Sequence, residues 1–305
     1  MTTPIALSPF VERTARLIRL LPSGRHRLLS RLVNRPLFFA RLPTSRTDLL
    51  FECDKSSLLP WCLFCEGTYE PRETALLIGL LKPGDTFVDV GANWGYFTLL
   101  SSEKVGTSGR VISIEADPRN FALLERNVAR NRLEQVRCLH VAAGQQPGSL
   151  TMLGFHEAQS NKGVSYVVGN STSSEGNTGR IIQSGAVTIE VPADTIDSLM
   201  AKEGVQRVDL LKMDIEGAEA LALPGMKQGL ANGLYRKIVL ELHGNVLGEY
   251  GTDSHSLTRI LHDAGYRLWS VEPDSLKPID PSDSSSDRSE ILAIAPGEPD
   301  PPAGL

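Results

Sequence analysis

Residues 87–97 read FVDVGANWGYF. Phe87, Val88 and Val90 are apolar and β-prone, and the turn signal KPGD at 82–85 stands just before them, so the stretch opens as a strand. Its second half opens a helix, because WGYFTLLSSEKV carries apolar residues at helical spacing. A strand turning this tightly into a helix exposes the helix's first N–H groups and its positive dipole end. Gly91 and Gly95 carry no Cβ, so a ligand can approach the backbone closely there. The competing reading is a glycine turn with no ligand, since short glycine motifs discriminate poorly alone.

From Thr86 onward strand and helix signals alternate. RVISIEADP (110–118) and VRCLHVAA (136–143) read as strands around a helix at 120–133, whose apolar stripe is Phe121, Leu124 and Val128. VDLLKMDIEGAE (208–219) begins as a strand and turns into a helix, and KIVLELHG (237–244) is a fifth strand. SLTRILHDAGY is a helix; RLWSV and EILAIAP close the series. This alternation argues for a mostly parallel α/β sheet. Ligands of such sheets sit beyond the carboxyl ends of the strands. The Gly-, Ser- and Asn-rich stretch 154–185 reads as a hairpin with flexible loops that lines the acceptor pocket, and DPSDSSSD and the Pro-rich tail as mobile segments.

Composition limits the rest. The 305 residues are 41% hydrophobic with net charge −5, enough for a core and poorly suited to coating nucleic acid. No run of 18 apolar residues suggests a transmembrane helix. Four cysteines fit a reducing, cytoplasmic setting rather than a disulfide scaffold. Cys62 and Cys65 form C-x-x-C without a second pair at zinc spacing and read as buried thiols. Residues 1–50 hold nine Arg, no Lys, and only Glu12 and Asp48 as acids, a surplus of seven positive charges that leaves −12 on residues 51–305. VERTARLIRLL and HRLLSRLV interleave Arg with apolar residues and read as a helical cap on the domain. A transit peptide and peripheral contact with an anionic membrane are the other readings.

Gly91 and Gly95 are spaced G-x-x-x-G, so the dinucleotide fingerprint G-x-G-x-x-G does not fit. An acid at the end of the second strand does: Glu115 follows Gly91 by 24 residues, and a carboxylate there can accept both hydroxyls of a ribose. A nicotinamide oxidoreductase shares these features but lacks the fingerprint. A non-catalytic, membrane-associated binding module leaves the polar ends of the fourth and fifth strands unexplained.

DVGANWGYFTLL, IEADP, ERNVARN, LLKMDIEGAE and LELHG, in this order, resemble the FkbM family of S-adenosylmethionine-dependent methyltransferases, as does the lead-in GTYEPRETALLIGLLKPGD. The resemblance covers about residues 50–296 and departs in details such as Ile196, where the family usually has Leu. It implies a class I, Rossmann-like fold: a seven-stranded, mostly parallel sheet with helices on both faces and the last strand antiparallel. The chain then divides into a basic helical region (1–70), the methyltransferase domain (71–296) and a disordered tail (297–305). The implied activity is O-methylation of a hydroxyl on a sugar, glycolipid or polyketide, with S-adenosylmethionine as donor. In that reading Asp89 faces the donor's amino group or braces the loop, and Gly91, Asn93 and Gly95 border its methionine part. Glu115 takes the ribose, Ala142 and Ala143 border the adenine, and Asp214 closes the donor site.

A sugar hydroxyl is a poor nucleophile until its proton leaves, and a positioned base typically contributes about 10²–10⁴-fold. Asp214, Glu216, Glu241 and His243, past the fourth and fifth strands, are the candidates. Alternation places Lys212, Asp214 and Glu216 on one face, and Glu241 and His243 on one face. His243 is the choice for a base near neutral pH, and Lys212 reads as a structural partner of a carboxylate; the competing reading has Asp214 as a cap, Glu219 on the surface and His243 hydrogen-bonded to a loop. The same set could hold Mg²⁺ or a similar ion, but nothing in the spacing requires a metal, and the expectation is activity insensitive to chelation. The acceptor's identity and the oligomeric state are not legible.

Overall fold

A computed structural model describes residues 68–154, 187–280 and 289–302, with shorter pieces between 5 and 63 and at 166–167. Strands β1 (Ile5–Ala6), β2 (Leu37–Arg41) and β3 (Leu50–Asp54) form a small sheet in that order. Helix α1 (Pro71–Leu80) follows, then β4 (Thr86–Val90), α2 (Tyr96–Val105), β5 (Arg110–Glu115), α3 (Pro118–Arg130) and β6 (Val136–His140). A second small sheet holds β7 (Ala142–Ala143), β8 (Gly148–Gly154), β9 (Tyr166–Val167) and β10 (Val187–Asp194). The chain continues through α4 (Ile196–Lys202), β11 (Leu210–Met213), β12 (Lys237–Glu241), α5 (Ser254–Asp263), β13 (Arg267–Glu272), β14 (Ser275–Pro278) and β15 (Glu290–Ile294), with short helical turns between them.

The main sheet runs β14-β13-β15-β12-β11-β4-β5-β6. β12, β11, β4, β5 and β6 pair parallel, and β15 pairs antiparallel with both β12 and β13. Seven strands, mostly parallel with the last one reversed, are what the resemblance implies. The eighth, β14, corrects the expected count: it folds back on β13 as a hairpin at the sheet edge, Trp269 opposite Pro278. The expected third strand, 136–143, is also split, because after His140 the chain leaves the main sheet and Ala142–Ala143 pair with β10.

Period-2 alternation places the core on both faces of the sheet. Phe87, Leu210 and Val239 pack with Leu76, Leu80 and Leu99 from α1 and α2, while Val88, Leu211 and Ile238 pack with Met200, Leu257 and Leu261 from α4 and α5 on the other face. Three of these helices, α3, α4 and α5, begin where the sequence supplies a capping side chain. Asp117 accepts the Arg119 and Asn120 N–H groups with Pro118 next in line, Thr195 accepts Ser198 N–H, and Asp253 accepts Ser256 N–H.

The front of the chain is not wholly helical as expected, since β1–β3 lie within it. Thr14, Leu17, Ile18 and Leu28 are helical; the rest of the two Arg-rich stretches lies outside the described residues. β3 docks on α3 through backbone and side chain together. Asn127 accepts Glu52 N–H at 2.7 Å, Asn131 exchanges hydrogen bonds with both polar groups of Leu50, and Arg126 pairs with the buried Glu52 carboxylate at 3.1 Å. β3 is thus joined to the domain. The tail expected to be disordered is tied down as far as Asp300: Arg267 binds Asp300 and the Glu298 carbonyl, and Glu298 faces Arg207 and Arg236. Cys65, residues 281–288 and most of 155–186 lie outside the described residues.

Candidate active site

Beyond the carboxyl ends of β4, β5 and β11 lies a cleft of about 880 Å³, open to solvent. Of the expected donor-site residues, Gly91, Asn93, Glu115, Ala142 and Asp214 line it, and Glu216, Lys212 and Ala143 line it with them. One end is apolar, walled by Ala116, Val141, Ala142 and Met152; the other carries Lys212, Asp214 and Glu216.

Glu115, at the end of β5, holds the loop after β4. Its Oε2 accepts Asn93 N–H and its Oε1 accepts Asp117 N–H, each at 2.7 Å. Burial pushes its carboxyl up to about 7, although these two backbone donors act in the opposite direction. Asn93 stands at φ 51, in the left-handed region where Asn is tolerated.

Gly91 and Gly95 are required by their protein neighbours. Gly91 sits at φ +82, and a Cβ there would collide with the Asp214 carbonyl; at Gly95, φ +90, it would stand 2.7 Å from Leu124 Cδ1. Gly91 therefore lets the β4 loop cross the β11 loop. Gly95 lets α3 close over the start of α2.

Asp89 does not line the cleft. It is buried in a polar row across the sheet, level with Ser113 on β5 and Lys212 on β11. Its Oδ2 accepts the Thr98 hydroxyl at 2.6 Å, and Thr98 and Ser113 share a hydrogen bond at 2.8 Å. Asp89 thus ties the first turn of α2 to the sheet. Lys212 is also buried, 4.7 Å over the Phe97 ring. Its Nζ lies 3.2 Å from Asp214 Oδ2 and 3.8 Å from Glu73 Oε1 on α1. Burial favours the neutral amine, but Asp214, Glu73 and Asp89 outweigh it and hold the ammonium form. This is the structural pairing expected for Lys212.

Asp214, Glu216, Glu241 and His243 do come together. His243 Nε2 lies 3.4 Å from Glu216 Oε2 and 3.8 Å from both Asp214 Oδ1 and Glu241 Oε1. His243 and Glu241 stand behind the cleft wall that Asp214 and Glu216 form. One reading needs correction. Glu219 is not on the surface: it is 0% exposed, and its Oε1 accepts Ile215 N–H at 3.0 Å and faces His243 Nδ1 at 3.3 Å. Burial alone would lower the His243 pKa, but the Glu219 hydrogen bond and the surrounding carboxylates raise it to about 9.

Sequence reasoning passed over Trp94, Asn120, Tyr69 and Phe97, which also line the cleft. Trp94 is buried, donates its indole N–H to Asn120 Oδ1 at 3.0 Å, and gives its carbonyl to Asn127. Its position beside Gly95 was the available signal. Tyr69 packs edge-on to Tyr96, 5.6 Å between centroids.

The strand order, with its reversed last strand and a cleft at the carboxyl ends of β4, β5 and β11, defines a class I, Rossmann-like methyltransferase. The Methyltransferase FkbM domain model matches residues 89–268, more than half of the sequence, and the chain belongs to this family of S-adenosylmethionine-dependent methyltransferases. It is 29% identical over 185 residues to the 31-O-demethyl-FK506 methyltransferase FkbM of Streptomyces tacrolimicus, covering 55% of this chain and 70% of that one. To the hexuronic acid methyltransferase AglP of Haloferax volcanii it is 24% identical over 189 residues, covering 62% of this chain and 66% of the relative. The crystal structure of methyltransferase FkbM from Methylobacillus flagellatus gives a TM-score of 0.43 at 16% identity, over 93% of this chain and 58% of that one. Among the described residues no helix is long and apolar enough to cross a membrane.

Proposed function

We propose that the protein transfers a methyl group from S-adenosylmethionine to a hydroxyl of a small-molecule or glycan acceptor of sugar, glycolipid or polyketide type. The observation that carries this reading is one cleft with Glu115 on its wall, an apolar end, and Asp214 and Glu216 at the other end. Each Glu115 oxygen holds one backbone N–H and keeps a lone pair for a ribose hydroxyl. The alanines of the apolar end suit a flat adenine. Relatives named for 31-O-demethyl-FK506 and for hexuronic acid favour an oxygen acceptor on a natural product or sugar.

S-adenosylmethionine supplies a methyl carried on a cationic sulfonium. The remaining work falls to the chain. Asp214 and Glu216 place negative charge where that cation would lie. They also mark where an acceptor oxygen must stand, about 3–3.5 Å from the methyl and in line with the breaking bond. The hydroxyl proton leaves towards the same carboxylates. The net charge of −12 on residues 51–305 disfavours a nucleic-acid acceptor, and the few cysteines suit a reducing compartment.

The test is transfer of labelled methyl from the donor to nucleotide sugars, glycolipids and polyketide alcohols. A base-stable methyl ether supports the reading. Label found solely in base-labile esters or in amines would overturn the hydroxyl assignment.

A further inference from the structure

At the carboxyl ends of β11 and β12, four carboxylates face one imidazole. His243 Nδ1 is occupied by the Glu219 carboxylate at 3.3 Å, which directs Nε2 towards Glu216 Oε2 at 3.4 Å and towards Asp214 Oδ1 and Glu241 Oε1 at 3.8 Å. Asp214 divides its oxygens. Oδ2 goes to Lys212, and Oδ1 is turned to the histidine side. Among the described residues Lys212 is the further cation touching these acids, and it reaches Asp214 and Glu73, not Glu216, Glu219 or Glu241.

The Nε2 separations are longer than the roughly 2.7–3.2 Å of an N–H···O hydrogen bond. They match two ligands of a common ion. Atoms each about 2.1 Å from one cation stand about 3.0 Å apart at a right angle, about 3.4 Å apart at the tetrahedral angle and about 4.2 Å apart when opposite. One ligand atom from each of Asp214, Glu216 and His243 falls within 4.8 Å of the others.

A second observation lies behind the histidine. Metal-binding histidines characteristically give their other ring N–H to a carboxylate, which fixes the tautomer and the ring orientation. Glu219 does this here while itself 0% exposed, and its Oε2 is buried with no hydrogen-bond partner among the described residues. A buried carboxylate with an unsatisfied oxygen is costly unless positive charge stands close by. Either the second imidazole proton or a divalent ion taking its place on the far side of the ring supplies that charge.

We propose that Asp214 Oδ1, Glu216 Oε2 and His243 Nε2 bind one divalent cation of the Mg²⁺ or Mn²⁺ class, which orients and acidifies the acceptor hydroxyl. Oxygen-rich donors with one imidazole suit these ions better than sulfur-loving ones. The site rests on the methyltransferase reading for its purpose, and it reverses the expectation of chelator-insensitive activity. In the step it serves, the hydroxyl oxygen forms the new O–CH₃ bond as the C–S bond breaks. The sulfonium becomes the neutral thioether of S-adenosylhomocysteine, and the hydroxyl proton passes to a carboxylate of the cluster and on to water.

The full chain, stripped with EDTA and freed of chelator, is titrated with Mn²⁺ while electron paramagnetic resonance reads the free ion. One ion bound per chain is expected, weakened at least about tenfold in both Glu216→Gln and His243→Ala. A cooperative thermal melt of each variant shows that it is folded, and donor binding, measured by calorimetry without metal, should remain detectable in both. A free Mn²⁺ signal undiminished by millimolar protein, or binding unchanged in both variants, overturns the site. Failure of S-adenosylmethionine to bind would overturn the methyltransferase reading instead, whatever the ion does.

Discussion

His243 Nδ1 lies 3.3 Å from Oε1 of Glu219, a carboxylate 24 residues earlier with no exposed surface. Glu219 never reaches the cleft, so its part is to position the imidazole. Glu219→Gln keeps the shape and an acceptor for Ile215 N–H. It should cost turnover about 10–100-fold, in line with the loss of such supporting partners, and weaken Mn²⁺ binding while donor affinity stays within about twofold. Steady-state kinetics beside calorimetry decides it. Unchanged turnover and ion binding would make Glu219 a purely structural acid.

Asp214→Asn and His243→Ala should each lower turnover far more than donor affinity, because their interactions develop mainly as the acceptor reacts. A loss of about 10²-fold or more in kcat is expected. Near-normal turnover of both variants on the true acceptor would move the chemistry to other residues.

Glu115 gives a pH dependence with two opposite signs. Its carboxyl is raised from 4.5 to about 7 by burial, so the ionised form destabilises the unliganded fold above pH 7. That cost shrinks as pH falls through 7 and is gone below 4.5. A ribose, however, needs the carboxylate as acceptor. Lowering pH from 8 to 6 should therefore weaken donor binding while Glu115's own contribution to stability rises. Glu115→Gln should flatten both responses, and Glu115→Ala should weaken binding by about 1.5–3 kcal/mol. Calorimetry and thermal melts across that range, wild type against Glu115→Gln, separate these effects.

Gly91→Ala and Gly106→Ala both put a methyl at positive φ, 82° and 68°, but Gly106 has nothing within 4 Å of the added Cβ. Gly106→Ala should cost only the backbone strain, about 1–2 kcal/mol. Gly91→Ala must also displace the Asp214 carbonyl, so it should be markedly less stable and lose activity. Equal urea midpoints for the two would contradict the crossing of the loops.

Asn127 joins the front of the chain to the glycine loop, accepting Glu52 N–H and donating to the Trp94 carbonyl at 2.8 Å. Asn127→Ala leaves two buried polar groups unmatched, at about 1–3 kcal/mol each, and should lower both melting temperature and donor affinity. Removing residues 1–50 should lower the melting temperature without altering co-sedimentation with anionic liposomes. Salt-sensitive co-sedimentation confined to the full chain would instead support a membrane-facing front.

The strand–glycine–helix turn and the acids ending β5 and β11 were legible because local pattern fixes them: period 2 gives way to helical spacing, and turn residues stand where the strands end. Asp89 was read two ways, since sequence does not show that Thr98 and Ser113 enclose it. Glu219 was misread because its burial depends on a histidine 24 residues away. The upward shift of the His243 pKa was hidden for the same reason: Glu219, Glu216 and Asp214, distant in sequence, cause it. β2 escaped notice because LFFAR sits in an Arg-rich stretch whose neighbours carry helical spacing, and β14 because a four-residue edge strand has almost no pattern to read.

The central claim is that the cleft seats the methyl donor between Glu115 and the Asp214–Glu216 end. A crystal structure of the full chain with S-adenosylhomocysteine measures this directly. The account predicts ribose hydroxyls on the Glu115 carboxylate, adenine against Ala142, and the sulfur facing Asp214 and Glu216. Ribose away from Glu115, or sulfur pointing from these acids into the apolar end, would contradict it.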